Sequence, residues 1–490
     1  MAQVWTPKCF AAVGFAVTCS VAAPLTSRAD VVVSTASTSN MVCSGGVCTP
    51  TARKAVLNIT DLANMLAGGD VTIRSSALSQ DINFAAPLSW TSSQRLVLDA
   101  YHSIHFEKPI VVAGSGALTI ETNDGGNGGD YQFSGKGHVE FWDMDSSLSI
   151  NGQSYALVRS IRELVRLAKR NSQPYMALVK TLNLGNTTYS RSPIPNLEAT
   201  LEGLGNTIRN LKISDAVNGD VVGFTGNFGG AGLHTIRDIN LMSVNIAASG
   251  GSQKVGAIAG QGGGIIQNIH VSGSINADST FDTVGGLTGS TGGAVAGSQA
   301  DITIAVGGHA VAGGLVGIVE GSEQQNLGIV QNSFSAGSIS SGDDSSVGGL
   351  VGTNAGAIIS NSYSLASVTG GAQSSSGGLA GTEQEGVNFP EMQSSYATGS
   401  VTAGSGSSVG GLIGTDIAGA INSHVYWNTD TSGISDPTKG AGNIANDPGL
   451  AGLTTAELQS GLPAGFGSSV WREKATINSG YPYLIGNPAN

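Results

Sequence analysis

The chain has 490 residues, of which 73 are Gly and only 14 Pro, with 40% hydrophobic, 11% charged and 6% aromatic residues. That mixture is too apolar for a disordered chain and too glycine-rich for a helical one, and it suits many short strands joined by tight turns. The net charge is −12, and between Val255 and Thr438 there are 13 Asp and Glu but no Lys or Arg, which excludes nucleic acid as a partner of this stretch, because such binders need clustered cations to displace counterions.

Residues 1–29 read as an export signal. Lys8 precedes an apolar run from Cys9 to Ala23, and Ser27-Arg28-Ala29 puts small residues at both cleavage-determining positions. Cleavage after Ala29 removes Cys9 and Cys19 and leaves Cys43 and Cys48 in a linker spanning 30–59. The spacing of that pair suits a small disulfide loop in an oxidising compartment. Metal or thiol redox chemistry is the competing reading, but two Cys without a neighbouring His make a poor zinc site. No later apolar run reaches the roughly 20 residues needed to span a bilayer, so no transmembrane segment is expected after cleavage.

Residues 60–220 read as irregular β structure, with alternating pieces such as Val71-Thr72-Ile73, Arg95 to Leu98, Leu118-Thr119-Ile120 and Leu148-Ser149-Ile150. Two short helices interrupt it. One runs from Thr60 to Ala67. The other, Ser160 to Arg170, has a capping box in Ser160 and Glu163 and an apolar face of Ile161, Leu164, Val165 and Ala168. Its outer face carries Arg159, Arg162, Arg166, Lys169 and Arg170, which reads as a dock for an acidic partner or anionic lipid, or as the solvated face of a covering helix. In the same region His102 and His105, as i and i+3 on a strand, should point to opposite faces and share no metal. Asp124 to Asp130 reads as a glycine-rich turn and not a calcium nonapeptide, since it occurs once. Asp143 and Asp145 read as turn acids.

From 221 to 450 the chain repeats itself. Gly-Gly-Leu-x-Gly recurs around Leu287, Leu315, Leu350, Leu379 and Leu412 at intervals of 28, 35, 29 and 33, with a degenerate copy around Ile258. Each unit then continues in one order: Asn332-Ser333-Phe334-Ser335, Asn361-Ser362-Tyr363-Ser364, Ser394-Ser395-Tyr396-Ala397. No piece can bury anything alone. Stacked in register, Ile258 and the five leucines form a core ladder, the Tyr and Phe residues another, and Asn268, Asn332, Asn361 and Asn422 an amide ladder. The expected fold is therefore all-β, a right-handed parallel β-helix with one or two short helices. Its longer intervals come from insertions at Glu320 to Gly328 and Glu383 to Pro390, natural sites for functional variation. A carboxy-terminal cap is expected from 451 to 490, with Thr454 and Glu457 starting a short helix and Trp471, Tyr481 and Tyr483 clustering.

These repeats resemble the GLUG repeat of filamentous haemagglutinin-like exoproteins and other large surface proteins of Gram-negative bacteria. The likeness extends to Asn123 to Asp130, Leu148 to Tyr155, Leu201 to Ile208, and the closing Gly452 to Gln459 and Tyr481 to Leu484. It implies an exported β-helix, an adhesive or surface role, and an outer-membrane export partner. The Asn-Pro-Asn motifs of partner-secreted members are missing, so the periplasm stands beside the cell surface and the medium as a location.

No motif names a catalytic residue, a cofactor or a metal ligand. Polysaccharide lyases and hydrolases also use β-helices, but they want a cation beside their acids. Asp343 with Asp344 and Glu383 with Glu385 stand in Gly/Ser-rich stretches where acids are usually solvated. The expectation is a non-enzymatic adhesin or surface binder of an unidentified surface or matrix ligand, a glycan being the candidate, with a polysaccharide-active enzyme or a purely structural envelope or matrix protein as the alternatives.

Overall fold

The computed structural model describes residues 30–126, 128–170, 173–230, 232–322 and 328–489. The export signal with Cys9 and Cys19 lies outside them, as does most of the 320–328 insertion. The described chain is all-β and its sheets are mostly parallel, interrupted by three α-helices, α1 (Ile59–Gly68), α2 (Ile161–Arg170) and α3 (Thr455–Leu458). Each helix starts at a side-chain cap: Asn58 accepts from Thr60 N at 2.8 Å, Ser160 from Glu163 N at 3.2 Å, and Thr454 from Glu457 N at 3.2 Å. Those caps satisfy amides that the first turn leaves without intrahelical partners.

Residues 30–59 are not a linker. Asp30–Ser34 pairs in parallel with both Ala55–Asn58 and Asp81–Phe84, with Val31 and Val33 fully buried. Period-two alternation over four residues was too short to stand out beside the cysteines. Cys43 and Cys48 face each other across an antiparallel hairpin, Met41–Ser44 with Val47–Pro50, and are joined by a disulfide.

Two cores follow one another along the chain. The first gathers residues from Val31 to Ile150 together with Ala177, Val179 and Leu204, and the second runs from Val158 to Leu412 and beyond. The stacked region therefore begins well before residue 221. It has three faces: an eight-stranded sheet from Ile194–Leu197 to Ile413–Asp416, a seven-stranded sheet from Val221–Val222 to Ser408–Gly410, and a third built around Asn240–Ala248, His270–Ala277, Gln299–Val306 and Phe334–Ser341. Each strand pairs in parallel with its counterpart one unit on. On the third face the register aligns Ile213, Ile246, Ile275, Ile304, Ile339, Val368 and Val401, all buried.

Ile258, Leu287, Leu315, Leu350, Leu379 and Leu412 are all fully buried. Each amide donates to the carbonyl of the next member at 2.8 to 2.9 Å up to Leu412. The glycines around them serve close approach, not positive φ. A Cβ on Gly348 would lie 1.9 Å from Val351 O, and one on Gly313 2.0 Å from Val316 O.

The expected amide ladder does not form. Asn268, Asn332 and Asn361 occupy a left-handed corner, with φ of 52°, 50° and 46°, which Asn tolerates better than most residues. Gly297, Ser394 and His424 hold the same corner with φ of 57°, 47° and 57°, while Asn422 lies in another register, opposite Met392. The unbroken ladder is one residue further on, at Ser298, Ser333, Ser362 and Ser395. Each hydroxyl donates to the carbonyl two residues back, at 2.7 to 2.9 Å. It also accepts an amide from the preceding unit, at 3.1 to 3.3 Å. Both groups buried by the corner are thereby satisfied.

The aromatic ladder stands outside the main core. Phe334, Tyr363 and Tyr396 stack with centroids 4.7 and 5.0 Å apart. The carboxy-terminal segment covers them, running back along the stack instead of only closing its end. Trp471 Nε1 donates to Asn361 Oδ1 at 3.1 Å, Tyr396 Oη to Pro482 O at 2.6 Å, and Asn487 Nδ2 to Ser298 O at 3.1 Å.

Candidate functional site

The corner that leads from the eight-stranded face to the third face is where the units differ. Its plain form is two residues: 263 and 264, 292 and 293, 356 and 357. Four units have more residues between the same two strands, at 229–234, 321–328, 385–390 and 417–420, of which 231 and 323–327 lie outside the described residues. The longer repeat intervals thus all add their residues along one edge, as expected where a rigid scaffold carries variable loops. Glu383 does not belong to the insertion as expected; it closes into the strand Ala380–Gln384, fully buried, and the loop begins at the exposed Glu385.

This edge leaves apolar side chains in water. Leu233, Val387, Phe389 and Ile421 are each more than half exposed and Ile417 is 69% exposed. Ile358 and Ile421 flank Glu391 in one cross-strand row. The loops are nevertheless seated: Gly386 N donates to Asn388 O at 3.1 Å, Ile417 N to Glu383 O at 2.9 Å, and Gly321 N to Ala355 O at 2.8 Å. A Cβ on Gly356 would meet Asn388 O at 2.4 Å, so the 385–390 loop rests directly on that unit's backbone. Exposed Glu320 and Glu385 border the apolar residues. Exposed apolar groups gathered on one edge and bordered by acids are the kind of patch at which proteins meet partners.

Under the edge, register places Asn354, Glu383 and Asp416 on successive strands. Asn354 Nδ2 reaches Glu383 Oε1 at 3.3 Å. Asp416 accepts from the amides of Ala418, Gly419 and Ala420 at 2.8 to 2.9 Å, which fixes the 417–420 loop. Burial, then the charge of Asp416, pushes the Glu383 carboxyl up to about 8. Burial, then Asp416, raises Asp447 to about 6. Glu383, Asp416 and Asp447 are all buried, and it is the Asp416 carboxylate that holds the loop amides.

The remaining sequence candidates resolve as follows. His102 and His105 do not point apart: His102 sits in the bend before strand Ile104–Phe106, and both rings approach the buried Asp81, at 2.8 and 3.9 Å. Burial alone would raise the Asp81 carboxyl, but hydrogen bonds from His102 and then His105 hold it well below the usual carboxylate range. Ser103 Oγ lies 2.9 Å from His102 Nδ1. A nucleophile triad needs acid and hydroxyl on different ring nitrogens; here both meet Nδ1, and Ser103 is buried. Asp143 and Asp145 form a turn, Asp145 N donating to Asp143 Oδ1 at 2.8 Å. Asp343 and Asp344 are exposed, Asp343 accepting from Ala372 N at 2.7 Å. Among the described residues no group of three His, Cys, Asp or Glu is arranged to hold a metal ion, and no helix is long and apolar enough to cross a membrane.

One cluster had no signal in the sequence, because its members are far apart in it. Arg237 donates to Asp238 at 2.6 Å and to Asp130 at 2.9 Å, and its guanidinium lies 4.2 Å from the Tyr131 ring centroid. Tyr131 Oη donates to the buried Glu202 at 2.5 Å. Burial, then Asp238, pushes Glu202 up to about 8. These residues stand where the first core meets the second. Asp130, read as the end of a glycine-rich turn, is part of this fastening.

The chain carries the GLUG motif, matched over residues 343–369, a span that includes Asn361 and Tyr363. No curated protein matches it in sequence. Among solved structures, a candidate immunoglobulin A1 protease from Bacteroides ovatus superposes with a TM-score of 0.45 at 16% identity, covering 68% of this chain and 93% of the other.

Proposed function

We propose that this chain is a right-handed parallel β-helix of GLUG-type repeats, of the filamentous haemagglutinin-like kind, exported to the cell surface, where it binds a surface or matrix ligand and catalyses nothing. The observation that carries the reading is the single edge on which every long repeat places its extra residues, with Val387, Phe389, Ile417 and Ile421 in solvent. An enzyme on such a scaffold would set paired carboxylates in an open groove; the acids brought together here are buried under loops. The GLUG motif supports the repeat assignment, and the Cys43–Cys48 disulfide suits an oxidising compartment outside the cytosol.

The test is antibody labelling of intact cells of the native host alongside fractionation, followed by binding of the purified protein to host and matrix glycans and proteins. Surface labelling or release, together with binding that Val387→Ser with Phe389→Ser abolishes while the melting temperature holds, is the expected result. Confinement to the periplasm, or binding indifferent to those substitutions, would overturn it.

A further inference from the structure

The cations of this acidic chain are unevenly placed. Five of its 22 Lys and Arg fall between Arg159 and Arg170, against a net charge of −12. Helix α2 holds four of them in the open, since Arg162, Arg166, Lys169 and Arg170 are all exposed. With 3.6 residues per turn these four fall within about 100° of arc, and Arg162 to Arg170 covers about 12 Å of helix axis. They form one straight stripe with a positive charge about every 6 Å. Among the described residues only Arg166 has an acid within ion-pair range, Glu163 at 3.8 Å, and such a solvent-exposed pair contributes little.

The other side of α2 is already occupied. Leu164 is buried in the second core, and Ile161, Val165, Leu167 and Ala168 pack against that core. The helix lies on Ile194–Leu197, the first strand of the eight-stranded face, and Arg159 at its start donates to the carbonyl of Asp143. These contacts fix the stripe in place and decide what it can meet. A helix that binds a bilayer buries its apolar side among the lipids; here that side is spent on the protein. A single-stranded nucleic-acid surface adds aromatic rings on which bases stack, and α2 carries none. What remains is attraction for anionic groups strung along a line in water. The net negative charge of the rest of the molecule repels a polyanion, which confines contact to the stripe.

We propose that the outer face of α2 binds a linear acidic polysaccharide, whose carboxylates or sulfates meet Arg162, Arg166, Lys169 and Arg170 in turn. Guanidinium groups suit this task, because each offers paired N–H donors to the two oxygens of such an anion. Ala380–Gln384, the strand that leads into the 385–390 loop, is the seventh of the eight-stranded face. At about 4.8 Å per strand the stripe therefore lies about 30 Å along the stack from that loop. The two surfaces are separate, and this inference does not depend on the loop edge binding anything.

Titration of the purified protein with polygalacturonate and with dextran sulfate tests it, with neutral dextran as the blank. Binding to at least one acidic polymer in roughly 50 mM salt is expected, weakened about 100-fold or more near 500 mM by the cost of releasing fewer counterions. Arg162→Gln with Arg166→Gln should weaken it about tenfold or more. Arg209 and Lys212 are exposed cations on the third face. Arg209→Gln with Lys212→Gln makes the same change in net charge at that remote place and should leave affinity within about twofold. Glutamine suits a helix almost as well as arginine, and circular dichroism checks the fold of each variant. No binding to either acidic polymer, binding indifferent to salt, or an equal loss in both pairs of substitutions would overturn the proposal. So would tighter binding to phosphatidylglycerol vesicles or to a single-stranded oligonucleotide. Val387→Ser with Phe389→Ser should leave acidic-polymer binding unchanged, and ligands retained at high salt report the loop edge alone, so the two surfaces succeed or fail separately.

Discussion

Glu383 and Glu202 are fully buried carboxyls, each pushed up to about 8, first by burial and then by a neighbouring aspartate. In the unfolded chain a glutamate titrates near about 4.3. Between that value and about 8 the folded protein holds protons that the unfolded chain has released, so stability falls as pH rises through this window. Asp282 and Asp447, raised to about 6, act in the same sense over its lower part. Asp81 acts oppositely: its carboxyl is held below the ordinary range, so its contribution is lost only in more acidic solution. The melting temperature should therefore drop between pH 5.5 and 8.5. Glu383→Gln, which has no proton to lose, should reduce that slope and raise stability at pH 8.5 by on the order of 5 kcal/mol. An unchanged slope in calorimetry would show that Glu383 is already ionised in the folded protein across this range.

Within the repeat, glycine and serine do different work. Gly348→Ala would place a methyl 1.9 Å from Val351 O and 2.6 Å from Gly381 N, both backbone atoms of a stacked sheet that cannot yield separately. It should cost at least about 1–3 kcal/mol in a urea titration, whereas Gly68→Ala, with open space at the end of α1, should be neutral or stabilising. Equal effects would mean that the stack relaxes freely. The carboxy-terminal segment makes its own prediction. Trp471→Ala removes a ring packed 5.9 Å from Tyr363 and Tyr396 and 4.6 Å from Phe466, and limited proteolysis should then cut after residue 453 long before the stack unfolds. These elements were unequally legible in the sequence. The parallel all-β character and the repeats were readable because glycine, leucine, serine and tyrosine recur in one order, and the helices because Ser160 and Thr454 announce their caps. The amide ladder failed because Gly297, Ser394 and His424 take the asparagine corner in other units and Asn422 falls in a different register, and composition does not fix register. The edge was partly readable, since interval lengths locate insertions, but intervals cannot say that all of them fall on the same corner. Glu383 looked solvated because its neighbours are turn residues; only the stack shows that it faces inward.

Across the whole molecule, the two cores are continuous in backbone but differ in construction. Val139 N donates to Leu204 O at 2.9 Å and Phe141 N to Val179 O at 3.1 Å, so the second stack rests on the end of the first. Between them lie Arg237 and its three carboxylate neighbours, contributed by segments as far as 107 residues apart. A linear stack is held together unit by unit, so such a joint decides whether the halves unfold together. With Glu202 protonated, the Arg237 cation balances Asp130 and Asp238 only in part, and its removal leaves buried acids without any partner cation. Breaking a buried pair from one side typically costs about 3–5 kcal/mol. The wild type should therefore unfold in one transition, and Arg237→Met, close in length and uncharged, should split it into two. Hydrogen exchange followed by peptide should then release residues 30–150 separately from residues 158–450. Two transitions already present in the wild type, or one transition surviving in the variant, would place the coupling between the halves in the backbone bonds and the shared apolar contacts around Ala177, Val179 and Leu204 instead of in the ion cluster.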